Sequence, residues 1–392
     1  MKDQRPGTGK IVPLETMRGV AAFMVFLFHF VLGFIPQRHG EDVGAAIPGG
    51  TLIETPFFFI INGHAAVTFF FVLSGFVLSY GYFVKGNNDG LIGSVIKRWP
   101  RLFPLALIST LLSWLMIQHG LYTYTETSTI TESNWMARFA NSTGDFLDLT
   151  LGEAFMQGFF FTFFRGDQNL NTSLWTMYYE FIGSLLVFGL IPILNGAKAG
   201  SALILFVTLI LAAFYTNVYM CAFILGCFLS FYRCQIRGER AILPVNRIAL
   251  LTGLLFVILA FGYVDPGKGF YSFMRTQNPT EMLKFRVIIH AVAAVILIEI
   301  ILSYESIYKY FDGRIGRLLG RCSFALYVIH VPLMFSFSTY VFLAAHESLG
   351  YWWAVSITFV CSVPMLFLIS WLMTVVDESW HRNINRIINR TT

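Results

Sequence analysis

The chain has 392 residues, of which 56% are hydrophobic and 12% are charged. Soluble domains carry about a quarter charged residues, so this composition excludes an ordinary water-soluble protein and indicates a lipid bilayer as the solvent. The net charge of +5 is spread between apolar segments and forms no single basic cluster, so we expect no nucleic-acid partner. The five cysteines form no CxxC pair, so we expect neither a disulfide framework nor a metal site.

Ten apolar segments approach the ~20 residues that a helix needs to cross a bilayer. They are 17–35, 64–83, 101–118, 173–194, 201–215, 218–232, 248–264, 285–303, 323–345 and 351–376. The first lacks a small-residue cleavage site, so we expect a membrane helix and not a signal peptide. The fifth and sixth are short, and form either a tight hairpin or a re-entrant pair. The predicted fold class is all-α: a polytopic transmembrane helix bundle of about ten spans.

A shorter apolar stretch, 154–164, is predicted to lie in the membrane interface or over the bundle. It belongs to the longest segment between predicted spans, 119–172, which is either a lid that binds an acceptor or a solvated connection.

Lysine and arginine are distributed unevenly between the segments that join these spans. If the N-terminus is cytoplasmic, 19 of the 27 basic residues face the cytoplasm and 7 face outward. Because cytoplasmic segments favour basic residues, both termini are predicted to be cytoplasmic. Residues 1–380 would then form the membrane domain, and residues 381–392 a basic cytoplasmic tail on the inner leaflet.

The first predicted span carries two ionisable side chains, Arg18 and His29. Such groups are costly in a bilayer, and their spacing puts them on one helix face, ~16 Å apart along the axis. His29 falls near mid-membrane and is predicted to be catalytic, whereas Arg18, at the inner boundary, suits a phosphate or carboxylate. The structural alternatives are a histidine that donates to a nearby carbonyl and an arginine that marks topology.

Arg98 and Arg101 flank Trp99 and Pro100 at the predicted inner end of the third span. Paired arginines bind phosphates well, and an indole can stack on a base. We therefore predict that this segment binds a nucleotide diphosphate, and that Arg18 contributes to the same site. The alternative is ordinary anchoring by basic residues at the cytoplasmic face.

Glu180 lies about two turns into the fourth predicted span and is predicted to be catalytic, because a lone carboxylate at that depth is costly. Aromatic rings near it are of the kind on which sugars pack, and His330 lies on the ninth span one turn after Tyr327. For each of these residues, a structural hydrogen bond within the bundle is the alternative. The residues predicted to bind the acceptor are Trp175, Tyr179, Tyr327 and His330.

Five motifs resemble those of the acyltransferase-3 family of integral membrane O-acyltransferases. They are Arg18 with His29 ten intervening residues later, FFVLSGF at 70–76, RWPRLFP at 98–104, LWTMYYE at 174–180 and SFALYVIH at 323–330. They occur in the family's order along nearly the whole chain. The departures from the family's pattern are mild; Glu15, for example, stands where aspartate is usual.

The resemblance implies an enzyme that moves an acyl group, usually acetyl, from cytoplasmic acyl-CoA to a hydroxyl of a cell-surface polysaccharide or its lipid-linked precursor. It implies acetyl-CoA as co-substrate, a carbohydrate acceptor, no metal, and a multi-pass location in a bacterial inner membrane. Succinyl-CoA as donor, peptidoglycan or small-molecule acceptors, and homo-oligomer formation stay open. His29 would act as general base or carry the acyl group itself.

Two other classes of function are compatible with an integral membrane protein. The first is a transporter that moves lipid, protons or an anionic solute, but the sequence shows no inverted repeat of the kind many transporters have. The second is a signalling or assembly component, which would have no reason to keep ionisable residues within its spans.

Overall fold

The computed structural model describes residues 11–40, 50–142, 149–237, 246–264, 268–274 and 278–388. These ranges fold into helices and contain no strand. The ten principal helices are α1 Val12–Phe34, α2 Gly63–Lys85, α3 Leu91–Gln118, α4 Thr172–Leu194, α5 Ala199–Thr216, α6 Val218–Arg237, α7 Arg247–Gly262, α8 Pro279–Ser303, α9 Arg314–Leu349 and α10 Tyr351–Ile388. Shorter helices lie at Pro36–His39, Leu52–Glu54, Pro56–Ile60, Tyr124–Thr131, Asn134–Ser142, 151–164, Gly269–Met274 and Glu305–Phe311.

Each predicted span corresponds to one of these principal helices, so the all-α polytopic fold is confirmed. Within the described ranges, nine helices are long and apolar enough to cross a membrane. The remaining one, α7, has 16 residues and is therefore ~24 Å long, short for a bilayer core of ~30 Å. The cytoplasmic location of both termini stays a prediction.

Helix boundaries differ from the predicted spans where charged residues extend a helix beyond its apolar part. α3 begins at Leu91 and not at 101, and it continues through Pro100 and Pro104. α10 runs on through residue 388, so the predicted boundary between membrane domain and tail falls inside one helix. Hydropathy finds only the apolar section of a helix, which explains these differences.

Glycines allow two pairs of helices to approach closely. Gly19 of α1 lies against the backbone of Gly320 in α9, and an added Cβ at Gly320 would lie 2.5 Å from the carbonyl oxygen of Glu15. In the same way, Gly75 of α2 and Gly226 of α6 each lie against the backbone of the other helix. Small residues provide such close contact in membranes, where lipid competes for every larger apolar surface.

Several prolines leave helix carbonyls without their usual donor, and in three cases a side chain from elsewhere in the chain bonds to the carbonyl. Pro36 frees the carbonyl of Leu32, Pro104 frees that of Pro100, and Pro332 frees that of Val328, because proline has no N–H for the residue four positions before it. The donors are Ser133 Oγ (2.9 Å to Leu32 O), Trp380 Nε1 (2.8 Å to Pro100 O) and Asn171 Nδ2 (2.6 Å to Val328 O). These bonds fix three segments that surround the site described below.

The helical segment 151–164 packs lengthwise against α3. The indole N–H of Trp114 donates to the carbonyl of Leu149, and that of Trp99 donates to Phe159, so the segment follows α3 over several turns. Gly158, at its centre, lies against the backbone of α3 at Leu107. The segment therefore lies beside α3 and not over the bundle, and its predicted position in the membrane interface stays a prediction.

Glu299 on α8 joins two arginines of α6. Its carboxylate lies 2.6 Å from Arg233 and also pairs with Arg237, while Ser303 donates to it at 2.8 Å. The last turns of α6 form a π-helix, which places both arginines on the α8 side. This cluster is a structural connection between the two helices.

Candidate active site

A cavity of about 200 Å³ lies beside the second half of α1. Its described walls come from α1, α2, α4, α9 and the segments that connect α3 to α4. The lining residues are Val25, Phe28, His29, Gly63, His64, Val67, Trp135, Gln168, Thr172, Ser173, Trp175 and Tyr327. None of these is a lysine, arginine, aspartate or glutamate, so the cavity suits an uncharged, partly apolar group.

His29 lines this cavity, and its Nδ1 has two polar neighbours. Nδ1 lies 2.9 Å from the carbonyl oxygen of Val25 and 3.1 Å from Nε2 of His330. The Nδ1 atom of His330 in turn lies 2.6 Å from the carbonyl oxygen of Tyr327. Because a carbonyl only accepts hydrogen bonds, a neutral imidazole in either position carries its proton on Nδ1. The basic nitrogen of His29 is then Nε2.

Two anchored segments form the outer walls of the cavity. Ser133, bonded to the carbonyl that Pro36 frees, precedes Trp135, whose ring lies 4.9 Å from that of His29. Asn171, bonded to the carbonyl that Pro332 frees, also accepts from Ser173, both from its N–H and its hydroxyl. Part of the long segment predicted as lid or connection therefore covers the histidine.

Tyr327 and Trp175, which are predicted to bind the acceptor, both line the cavity, and acceptor binding stays a prediction. The hydroxyl of Tyr327 donates to the carbonyl of Ser173 at 3.1 Å and accepts from Thr176 at 2.9 Å. Tyr179 lies farther from the cavity, where its ring contacts those of Trp175 and Tyr219. His330 is fully buried and lies behind His29, not in the cavity wall.

Glu180 is paired with Arg98 and accepts a hydrogen bond from Ser74 at 2.6 Å. The side chains of Arg98 and Glu180 are only 11% and 14% exposed. Glu180 is not among the cavity-lining residues, although its charge is close enough to act on Tyr327. Its contacts place it between the cavity and the arginines.

Arg98 and Arg101 lie one turn apart on α3, and Arg18 is near enough for its charge to act on both. Phosphate binding by the three arginines stays a prediction. Arg18 is 36% exposed along its side chain, pairs with Glu15 at 2.7 Å and donates to Ser323 at 2.9 Å. Arg101 is exposed, whereas Arg98 is engaged by Glu180. Arg18 and Arg101 are therefore the more accessible of the three to an anion.

Trp99 has partners within the protein. Its N–H donates to Phe159, and its ring packs against those of Phe103, Phe159 and Phe164. These contacts give the indole a packing role beside α3, and the predicted stacking on a nucleotide base stays untested.

Among the residues that shape the cavity or hold its walls, sequence reasoning missed His64, Trp135, Gln168 and Asn171. All but His64 lie in the segment between α3 and α4, where no apolar periodicity marks them. The signal that was available lies in the prolines, because Pro36 and Pro332 indicate carbonyls that need outside donors.

A family model described as an acyltransferase domain matches residues 12–375, nearly the whole chain. No curated protein and no solved structure matches.

Proposed function

Because the chain belongs to the acyltransferase-3 family of membrane acyltransferases, we propose that it moves an acetyl group from acetyl-CoA to a hydroxyl of a cell-surface polysaccharide or its lipid-linked precursor. The observation that carries the proposal is the arrangement along α1. Arg18 lies with two further arginines at one end, and His29 faces a cavity eleven residues farther along. That separation, ~16 Å, is one that an extended pantetheine arm can cover.

The accessible arginines would bind the phosphates of the donor, and the thioester would then reach the level of His29. An acceptor hydroxyl in the cavity would lose its proton to Nε2 of His29 as its oxygen attacks the thioester carbonyl. The carbon–sulfur bond breaks, and the proton passes from His29 to the CoA thiolate. In the alternative sequence, Nε2 attacks first and the acceptor receives the acyl group from His29.

The cavity supports a carbohydrate acceptor with a neutral ring at the reacting position. Trp135 and Trp175 offer apolar ring surface, whereas Gln168 and Thr172 offer hydrogen-bonding groups. Sugars combine both requirements, since their ring faces carry C–H groups and their edges carry hydroxyls. The protein would act from a bacterial inner membrane, with the donor supplied by the cytoplasm.

The first test is release of free CoA thiol by purified protein in lipid nanodiscs. Acetyl-CoA and succinyl-CoA are supplied separately, with neutral methyl hexosides and soluble bacterial polysaccharides as acceptors. His29→Ala is expected to lower turnover by at least about 100-fold, the usual contribution of a general base, and to leave acetyl-CoA binding intact. His119→Ala, at an exposed position after α3, is the matched control. Near-full turnover of His29→Ala would exclude either role for this residue.

The donor site is tested in the same preparation by calorimetric titration with CoA. Arg101→Ala is expected to weaken binding about tenfold, because one charge-assisted contact to phosphate is worth roughly 1.4 kcal/mol. Lys309→Ala removes an exposed cation that is paired with Glu305, and should leave binding unchanged. Equal affinities for the two variants would place the donor elsewhere. Flux of protons or lipid without thiol release would support the transporter alternative.

A further inference from the structure

We infer that His330 is a positioning residue for the acyl transfer, and that it orients the reactive ring of His29 through an imidazole–imidazole hydrogen bond. The inference rests on the proposed function and adds a partner to His29. His330 has no exposed surface, and it is absent from the cavity lining, so contact with the acceptor does not explain it.

The bonding of both rings fixes the direction of this hydrogen bond. The 2.6 Å contact between Nδ1 of His330 and the carbonyl of Tyr327 requires the proton on Nδ1. Nε2 of His330 then carries a lone pair, 3.1 Å from Nδ1 of His29. His29 therefore donates from Nδ1, and this one proton is shared between Nε2 of His330 and the carbonyl oxygen of Val25, 2.9 Å away. Both acceptors keep the proton on Nδ1 and leave Nε2 as the basic nitrogen. A partner behind the ring that fixes the tautomer is the standard requirement for a catalytic imidazole.

The backbone holds the two histidines in register. Gly19 and Gly320 meet where α1 and α9 come closest, and each helix runs ten residues from that contact to its histidine. Ten residues advance both helices ~15 Å, so two parallel helices that touch at the glycines bring the histidines opposite each other. Gly316, one turn earlier on the same face of α9, lies against Thr16 and extends the close contact.

Other rings restrict the remaining freedom of His29. The ring of Trp135 lies 4.9 Å away and that of Phe28 5.0 Å away, the latter edge to face. The ring of His330 lies 5.0 Å away. Of these three rings, only that of His330 is bonded to a ring nitrogen of His29, and together with the carbonyl of Val25 it sets the rotation of the imidazole within an aromatic enclosure.

The test compares His330→Phe with His330→Gln in nanodiscs, with thiol release from acetyl-CoA in the presence of methyl hexosides. Phenylalanine fills the space without an acceptor, whereas the amide oxygen of glutamine can accept from Nδ1 of His29 but cannot take a proton. His330→Phe is expected to lower kcat by about 100-fold, with KM for acetyl-CoA within about twofold of wild type. His330→Gln should recover at least tenfold of that loss, and both variants should bind CoA with wild-type affinity, which shows that they are folded.

A second variant tests the register through the backbone. Gly320→Ala would press a methyl group against the carbonyl of Glu15 and separate the helices, so kcat should fall. Gly81→Ala, where a Cβ has open space, is the matched control.

Each outcome has a separate meaning. Full turnover of His330→Phe, or equal losses in the phenylalanine and glutamine variants, would overturn the positioning role and leave the proposed function standing. A wild-type protein that releases no thiol would overturn the proposed function, and the positioning role with it.

Discussion

Arg98 and Glu180 form the most enclosed ion pair at the proposed site, and Ser74 adds a hydrogen bond to the same carboxylate. Charges removed from water depend on each other, so the loss of one partner costs about 3–5 kcal/mol, whereas replacement of both by apolar residues costs far less. This asymmetry separates a structural role of the pair from a chemical one.

We expect Arg98→Ala to lower the melting temperature strongly, because it leaves Glu180 as an unpaired buried carboxylate. The double variant Arg98→Met with Glu180→Leu should recover most of the stability, since neither charge is then present. Thermal unfolding, followed by intrinsic tryptophan fluorescence, measures both effects. If Arg98 or Glu180 takes part in catalysis, the double variant should be stable but should release no thiol. A double variant with normal turnover would make the pair purely structural.

At the scale of helices, proline has a constructive role in this bundle. A carbonyl without a donor is costly in lipid, and at Pro36, Pro104 and Pro332 a distant side chain donates to the carbonyl that the proline frees. Asn171 meets the requirement that Pro332 creates, at 2.6 Å from the carbonyl of Val328. This bond attaches the segment before α4 to α9, and the attached segment forms one wall of the cavity.

Asn171→Ala is therefore expected to destabilise the protein by about 1–3 kcal/mol, the cost of an unsatisfied buried polar group. Pro332→Ala in the same chain supplies an N–H for Val328 and should recover part of that stability, although the wall of the cavity stays unanchored. Chemical denaturation in detergent measures the free energy of unfolding. Thiol release measures whether the cavity, with its wall unanchored, still supports acyl transfer. If the second substitution recovers nothing, the freed carbonyl is not the reason for the anchor.

Helices could be predicted from sequence because hydropathy acts locally: lipid requires ~20 apolar residues wherever a span occurs. His29, Trp175 and Tyr327 could be assigned to one site because motifs on three spans pointed to the same chemistry. Trp135 and Gln168 could not, because their positions depend on how loosely patterned segments dock onto proline-freed carbonyls. The sequence predicts that His330 binds the acceptor. Its burial behind His29 could not be predicted, because that burial depends on the glycine contact between two helices that are distant in sequence.

At the scale of the whole molecule, α1 connects a group of arginines at one end to a cavity farther along whose described lining residues include no acidic side chain, lysine or arginine. Arginines cluster near Arg18, and the cavity near His29 has no acidic or basic side chain except histidine among its described lining residues. Acyl-CoA carries several negative charges and cannot cross a bilayer unaided. If the donor binds at the arginine end and the acceptor enters the cavity from the other side of the membrane, the two substrates never need to share a compartment.

This arrangement predicts transfer between two aqueous compartments. In proteoliposomes with methyl hexosides enclosed and acetyl-CoA added outside, only protein molecules whose arginine end faces the outside should produce acetylated sugar. Orientation is measured with an impermeant maleimide on two variants in a background without native cysteines, Lys85→Cys at the end of α2 and Glu126→Cys in the segment after α3. Product should rise in proportion to the fraction labelled at Lys85→Cys from outside. Product that forms only when donor and acceptor share a compartment would mean that both substrates reach His29 from one face, and that the arginines guide an acceptor or serve topology alone.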